Sequence, residues 1–421
     1  MADDNDVLKS AHDFFVASRD FNGIPGSALA GTFDVPWDAM RDRLGRLVLS
    51  RDLDLTFASY SENPHIKRLP DLPPERQVEL LNQEDPNWVC VYPSGKSLGA
   101  YAEQYADRPY TRRLALAEPQ LAAVFFELRV LENYFRDPRY FCRFSDSSGM
   151  ISVSDEHFKS DQMAERDKVL LQTFGIGYDR GKNRVVVVYL RYLADLSPEH
   201  QQTWRAHELT EECSINSDYR GATLFGQRPK FVSVYQAFIR EQIEINRLAE
   251  MIGKPPLFRE TFAEDRRPLE FATMLRPTRR QYREFAQVLD KMLSDNLNRD
   301  FFRDNIPLED RIESKDTIER RQLGTITLLE RWLSARYRKA DGADGSRELV
   351  KPWRDIREIR QEPAHSLKPD DFDLAYPAKQ DALLEQALNS LRKLRWALSS
   401  HEAAKDYEAP DWLDSDRIVF Y

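Results

Sequence analysis

No stretch of the 421-residue chain is apolar for long enough to cross a bilayer, so no membrane role is expected. Paired cysteines are missing too. Cys90, Cys142 and Cys213 are odd in number, far apart and without a CxxC pair, which argues against a disulfide framework or a zinc ribbon and leaves buried thiols as the expectation. The start, MADDNDVLKSAHDFF, has neither the basic residues nor the apolar run of a secretory signal, and a cytoplasmic location is expected. Positive charge is also short, with 61 Lys and Arg against 70 Asp and Glu and a net charge of -9. That balance opposes a surface that coats nucleic acid indiscriminately, although it leaves room for a local basic cleft.

What is present is the makeup of a globular protein, 41% hydrophobic and 31% charged, in a chain long enough for two domains. The first part reads as mixed α+β. Leu53 to Ala58 and Trp88 to Tyr92 read as strands, the Pro-rich stretch Leu69 to Pro74 as an extended link into a helix near Glu75, and residues 117–136 as helix-friendly. Tyr140–Phe144 with Met150–Ser154, and Leu170–Phe174 with Arg184–Leu190, read as two antiparallel hairpins, the second around a glycine-rich turn. Val185 to Tyr189 is apolar on both faces, which predicts a central, covered strand. Ser197 and Pro198 open a helix, and a long helix over Lys230–Met251 stops at Gly253. The Pro- and Arg-punctuated stretch 253–278 is the expected boundary, dividing a mixed domain over 1–255 from a bundle over 278–421.

Beyond that boundary the pattern reads as helices throughout. Phe285, Val288, Leu289, Met292 and Leu293 share one helical face. Ile318, Ile326, Leu329 and Leu333 form a second stripe, Leu349, Trp353 and Ile356 a third, and Leu384, Leu388, Leu391 and Leu398 a fourth, which predicts an all-α bundle.

Most motif-like segments fail on their spacing. Pro93-Ser94-Gly95-Lys96-Ser97 ends like a phosphate-binding loop, yet Cys90 stands where that loop needs glycine. Gly175 to Gly181 lies between two strands, unlike a dinucleotide fingerprint. His207-Glu208-Leu209-Thr210-Glu211 begins like a zinc-protease helix but lacks the second histidine, so no metal is expected there. His12, His65, His157 and His200 are isolated and carry no expected chemistry.

One constellation survives. Arg360 and His365 are separated by four residues, and Ile356 places Arg360 near an apolar stripe, where a charge needs a partner or a task. The spacing alone arises by chance, as it does for Arg395 and His401. In an unbroken helix, residues five apart diverge by about 140° and rise about 7.5 Å. Pro363 is expected to kink or end the helix and free His365 to turn toward Arg360.

On these residues the stretch 280–400 resembles a HEPN domain (higher eukaryotes and prokaryotes nucleotide-binding), a helical bundle with an Arg, four to six residues, then His between its later helices. The resemblance implies a metal-independent endoribonuclease, of the kind that acts as a toxin or anti-phage effector, working as a homodimer through the C-terminal bundle and needing no cofactor. It assigns catalysis to Arg360 and His365, with Arg357 and Gln361 as auxiliary residues. Gln361 departs from the small polar residue, commonly Asn, that follows the Arg in many active members.

The chemistry suits the residue types. An unperturbed imidazole titrates near pH ~6.5, so His365 can move a proton during attack of an RNA 2′-hydroxyl on its phosphate. A planar guanidinium can brace that phosphate. The mixed N-terminal domain is then expected to respond to a protein or phage-derived trigger. The competing expectation is a non-catalytic dimerisation, nucleotide-binding or scaffold bundle in which Arg360 simply pairs with an acidic neighbour.

Overall fold

The computed structural model describes the chain except residues 1–2, 19, 69, 145, 160–162, 264–265, 304, 315–316, 339–340 and 362–368, with the backbone alone at 312–314 and 317–319. It divides into two compact units, one of residues 1–143 and 148–216, the other of residues 144–147 and 217–421.

The first unit opens with helix α1 (Asp4–Ala17), capped by a reciprocal pair of hydrogen bonds between Asp3 and Asp6. Its buried face is Val7, Ala11 and Phe15, one residue per turn. Strands β1 (Ile24–Pro25), β2 (Leu53–Phe57) and β3 (Val89–Pro93) form an antiparallel sheet in the order β1-β3-β2. Helices α2 (Trp37–Leu49) and α3 (Pro74–Leu81) accompany it, and Val7, Leu29, Met40, Leu44, Leu55 and Val91 meet in one core.

A larger sheet follows, of β4 (Ala123–Phe126), β5 (Tyr140–Phe144), β6 (Ser148–Val153), β7 (Leu170–Tyr178) and β8 (Arg184–Tyr189), in the order β4-β8-β7-β6-β5 with β9 (Ser214–Ile215) also on β7. Central strand β8 is buried from Val185 to Tyr189, as its unbroken apolar run predicts. Two expectations are corrected. Residues 123–126 are strand rather than helix, because Val124, Phe125 and Phe126 pair antiparallel with Val188, Val187 and Val186. Gly175 and Gly177 lie inside β7 rather than in a turn: a Cβ on Gly177 would come within 2.6 Å of the Ser214 carbonyl oxygen, so glycine admits β9 at close range. Helix α4 (Pro198–Arg205) begins as read, Ser197 accepting from the His200 amide. Cys90 and Cys142 are buried thiols, whereas Cys213 is only partly covered.

The second unit contains α5 (Val234–Met251), α6 (Arg279–Met292), α7 (Thr325–Arg336), α8 (Ser346–Gln361) and α9 (Tyr376–Ser399) around one core. The other members of the four predicted helical stripes are buried there, while Ile318 falls in a strand. The boundary expected at 253–278 is corrected to Asn216/Ser217. The physical reason is α5, whose buried Phe238, Ile239, Ile245 and Leu248 pack chiefly against α9, so that it belongs with the later helices. The all-α expectation is corrected as well. Strands β11 (Glu309–Ser314) and β12 (Thr317–Gln322) form an antiparallel hairpin, and β10 (Val232–Ser233) pairs in parallel with β13 (Ile418–Val419). The chain as a whole is α+β, and among the described residues no helix is long and apolar enough to cross a membrane.

Candidate functional site

Helix α8 positions the arginines. Its apolar side, Leu349, Val350, Trp353 and Ile356, is buried, which leaves Arg357 and Arg360, three apart, at the edge of that face. They meet the end of α6. Asp290, four residues after Ala286, lies on the buried side of α6 with its side chain only 1% exposed, and Ser294 and Asp295 follow where the helix stops. The Ser294 carbonyl accepts from the Thr325 hydroxyl at 2.7 Å, which fixes this corner to the first residue of α7.

Four charges interlock there. Arg360 Nη1 lies 2.5 Å from Asp290 Oδ2 and 2.5 Å from Asp295 Oδ2. Arg357 Nη2 donates to Ser294 Oγ at 2.7 Å and to Asp295 Oδ1 at 2.9 Å, with its Nε 3.5 Å from Asp290 Oδ1. Ser294 Oγ in turn donates to Asp290. The hydrogen bonds to Asp290 and then Asp295 push the Arg360 guanidinium above its ordinary range, so it stays charged. Two cations and two carboxylates leave the cluster formally neutral. Both N–H groups of Arg360 Nη1 are thereby engaged, whereas Nε and Nη2, the edge suited to a bidentate oxyanion, have no partner among the described residues.

No family model, curated protein or solved structure matches the chain. The physical content of the site therefore rests on its own geometry.

Of the residues predicted from sequence, the structure brings Arg360 and Arg357 together on one acidic corner. Gln361, the last residue of α8, is exposed and makes no hydrogen bond among the described residues. His365 and Pro363 lie outside the described residues. Arg354 pairs with Glu330 of α7, an ordinary ion pair. The chance match of Arg395 with His401 has a different explanation: Arg395 is buried, bound to Glu241 at 2.7 Å and Asp414 at 2.5 Å, while His401 accepts from the Ala403 amide beyond the end of α9.

Sequence reading missed Asp290, Ser294 and Asp295. The signal was available, since a carboxylate one turn after Ala286 inside an apolar stripe requires a cation for the reason Arg360 requires an anion.

A cleft of 450 Å³ borders the same helix, lined by Arg279 and Tyr282 of α6, Glu358 and Ile359 of α8, and Tyr376 and Lys379 of α9. The rings of Tyr282 and Tyr376 are 5.5 Å apart at 34°. Burial raises the Tyr282 hydroxyl above its usual range, so it remains protonated.

Titratable groups also meet in the first unit. Cys90 Sγ lies 3.4 Å from His65 Nδ1, but burial pushes the thiol up to about 12, too high for a nucleophile at neutral pH. Trp204 Nε1 donates to the Tyr134 hydroxyl at 3.0 Å, and that hydroxyl shares a hydrogen bond with His200 Nδ1 at 2.8 Å. Burial, the largest cause, lowers the His200 pKa and keeps the ring neutral. His207, of the zinc-protease-like segment, follows the end of α4 and contacts Glu127 at 3.0 Å. Among the described residues no group of three or more His, Cys, Asp or Glu is placed to hold a metal ion.

Proposed function

We propose that the C-terminal unit is a HEPN-like domain acting as a metal-independent endoribonuclease. In this reading His365 takes the 2′-hydroxyl proton and returns one to the leaving 5′-oxygen, while Arg360 stabilises charge on the phosphate. The products are a 2′,3′-cyclic phosphate and a 5′-hydroxyl. Two chains pair through the helical bundle, the first unit responds to a protein or phage-derived trigger, and the protein works in the cytoplasm as a toxin or anti-phage effector.

The observation that carries the reading is the way Arg360 is held. Carboxylates on two oxygens clamp one guanidinium nitrogen, and the opposite edge is left for a ligand at the last turn before the His365 segment. A preformed donor edge is what charge stabilisation in a transition state requires, since it needs little reorganisation as the reaction proceeds.

The same ion pairs favour a second reading. An arginine already neutralised by Asp290 and Asp295 needs no further task, and the bundle would then serve as a dimerisation, nucleotide-binding or scaffold element. Expression of wild type beside His365→Ala and Arg360→Ala, with cell growth and RNA integrity followed, separates the two. The ribonuclease reading predicts RNA loss and growth arrest with wild type alone. Identical RNA profiles under triggering conditions favour the scaffold.

A further inference from the structure

The cleft between α6, α8 and α9 has a charge pattern that speaks to its ligand. Arg279, Arg283 and Lys379 line it, Arg279 Nε lying 2.7 Å from Asp371 and Lys379 Nζ 3.3 Å from Asp373. Asp355, also on its wall, holds Lys351 at 2.5 Å. Glu358 is different, because its exposed carboxylate has neither a hydrogen bond nor an ion pair among the described residues. The cleft thus combines an aromatic wall, Tyr282 with Tyr376, and an acceptor-only group beside it.

We infer that this cleft is a nucleobase subsite selective for guanine, which stacks a base of single-stranded RNA on Tyr282 and holds its Watson–Crick edge on Glu358. Unstacked bases bind proteins in this manner, by aromatic stacking and edge hydrogen bonds. A carboxylate accepts two parallel N–H groups, and guanine presents two on one edge, at N1 and N2. Adenine and cytosine set an amino group beside a ring acceptor that repels the carboxylate, and uracil has a single N–H between two carbonyls. Glu358 and Ile359 belong to the last turn of α8, as does Arg360, but at about 100° per residue Glu358 and Arg360 leave the helix on opposite sides. The inference rests on the ribonuclease reading for the identity of the polymer, while the base preference rests on the cleft alone.

The test uses the full chain carrying His365→Ala, titrated calorimetrically with 5′-GMP, AMP, CMP and UMP. GMP is expected to bind about tenfold or more tightly than the others. Adding Glu358→Gln should erase that preference with little effect on AMP, and Tyr282→Leu, which keeps apolar bulk but removes the ring, should weaken every nucleotide. Glu358 is exposed, so its variant stays informative even if Tyr282→Leu unfolds. Equal binding of the four nucleotides, a GMP preference that survives Glu358→Gln, or no GMP binding at millimolar concentration overturns the inference. Binding of arginine amide in place of GMP would mark a peptide site instead. Wild-type RNA cleavage with base preference unchanged by Glu358→Gln removes the subsite and leaves the ribonuclease. GMP binding without any cleavage does the reverse.

Discussion

Asp290 is the residue on which the α6–α8 corner depends, because it is nearly inaccessible to water and faces both Arg357 and Arg360. Asp290→Asn keeps the shape but leaves two guanidinium groups sharing Asp295, and should cost about 3–5 kcal/mol in chemical denaturation, as removal of one partner from a buried pair does. Asp295 is 39% exposed and solvent screens it, so Asp295→Asn should cost under about 1 kcal/mol. Equal losses would mean that burial does not govern the corner. His200 gives a pH-dependent counterpart. Its native pKa lies below the ordinary imidazole value of 6.5, so as pH falls below that value the unfolded chain takes up the proton first and stability is lost toward the lower native pKa. His200→Asn, which offers Tyr134 an acceptor that does not titrate there, should flatten this loss between melts at pH 7.5 and pH 5.5. At this scale the need of Arg360 for a partner was legible from Ile356, four residues earlier. Which acid supplied it was not, since that depends on how α6 and α8 cross.

Elements were legible where a single period dominates. The stripes of α6, α8 and α9 each follow one helical face, and Ser197 with Pro198 marks the start of α4. Residues 123–126 were not legible, because the helix-forming Ala, Leu and Glu around Val124-Phe125-Phe126 outweighed a pairing that only β8 supplies. The β11–β12 hairpin was hidden differently: its strands are charged, with Asp310 opposite Arg321 and Arg311 opposite Arg320, so apolar periodicity passes over them. Gly177 converts this into a prediction. Gly177→Ala places a methyl 2.6 Å from the Ser214 carbonyl and 3.1 Å from the Phe125 ring, so β9 or that ring must move. A loss of about 1–3 kcal/mol is expected in a thermal melt. A neutral result would show that β9 yields freely.

For the whole molecule, the division at Asn216/Ser217 follows from where buried surface goes. Gly253 ends α5 with a positive φ of 72° and looks like a boundary in sequence, yet α5 carries Glu241 into a buried pair with Arg395 of α9 and so closes the second unit. Punctuation marks the ends of elements, whereas domains are set by burial. If that unit pairs with a second copy, light scattering should give twice the mass of one chain, unchanged by His365→Ala. The functional reading is decided by end-group chemistry. Triggered full-length chain should cut RNA in excess EDTA, leaving 2′,3′-cyclic phosphate and 5′-hydroxyl ends, and His365→Ala and Arg360→Ala should each abolish the cut. Intact RNA with wild type, or cleavage that persists at full rate in His365→Ala, contradicts it.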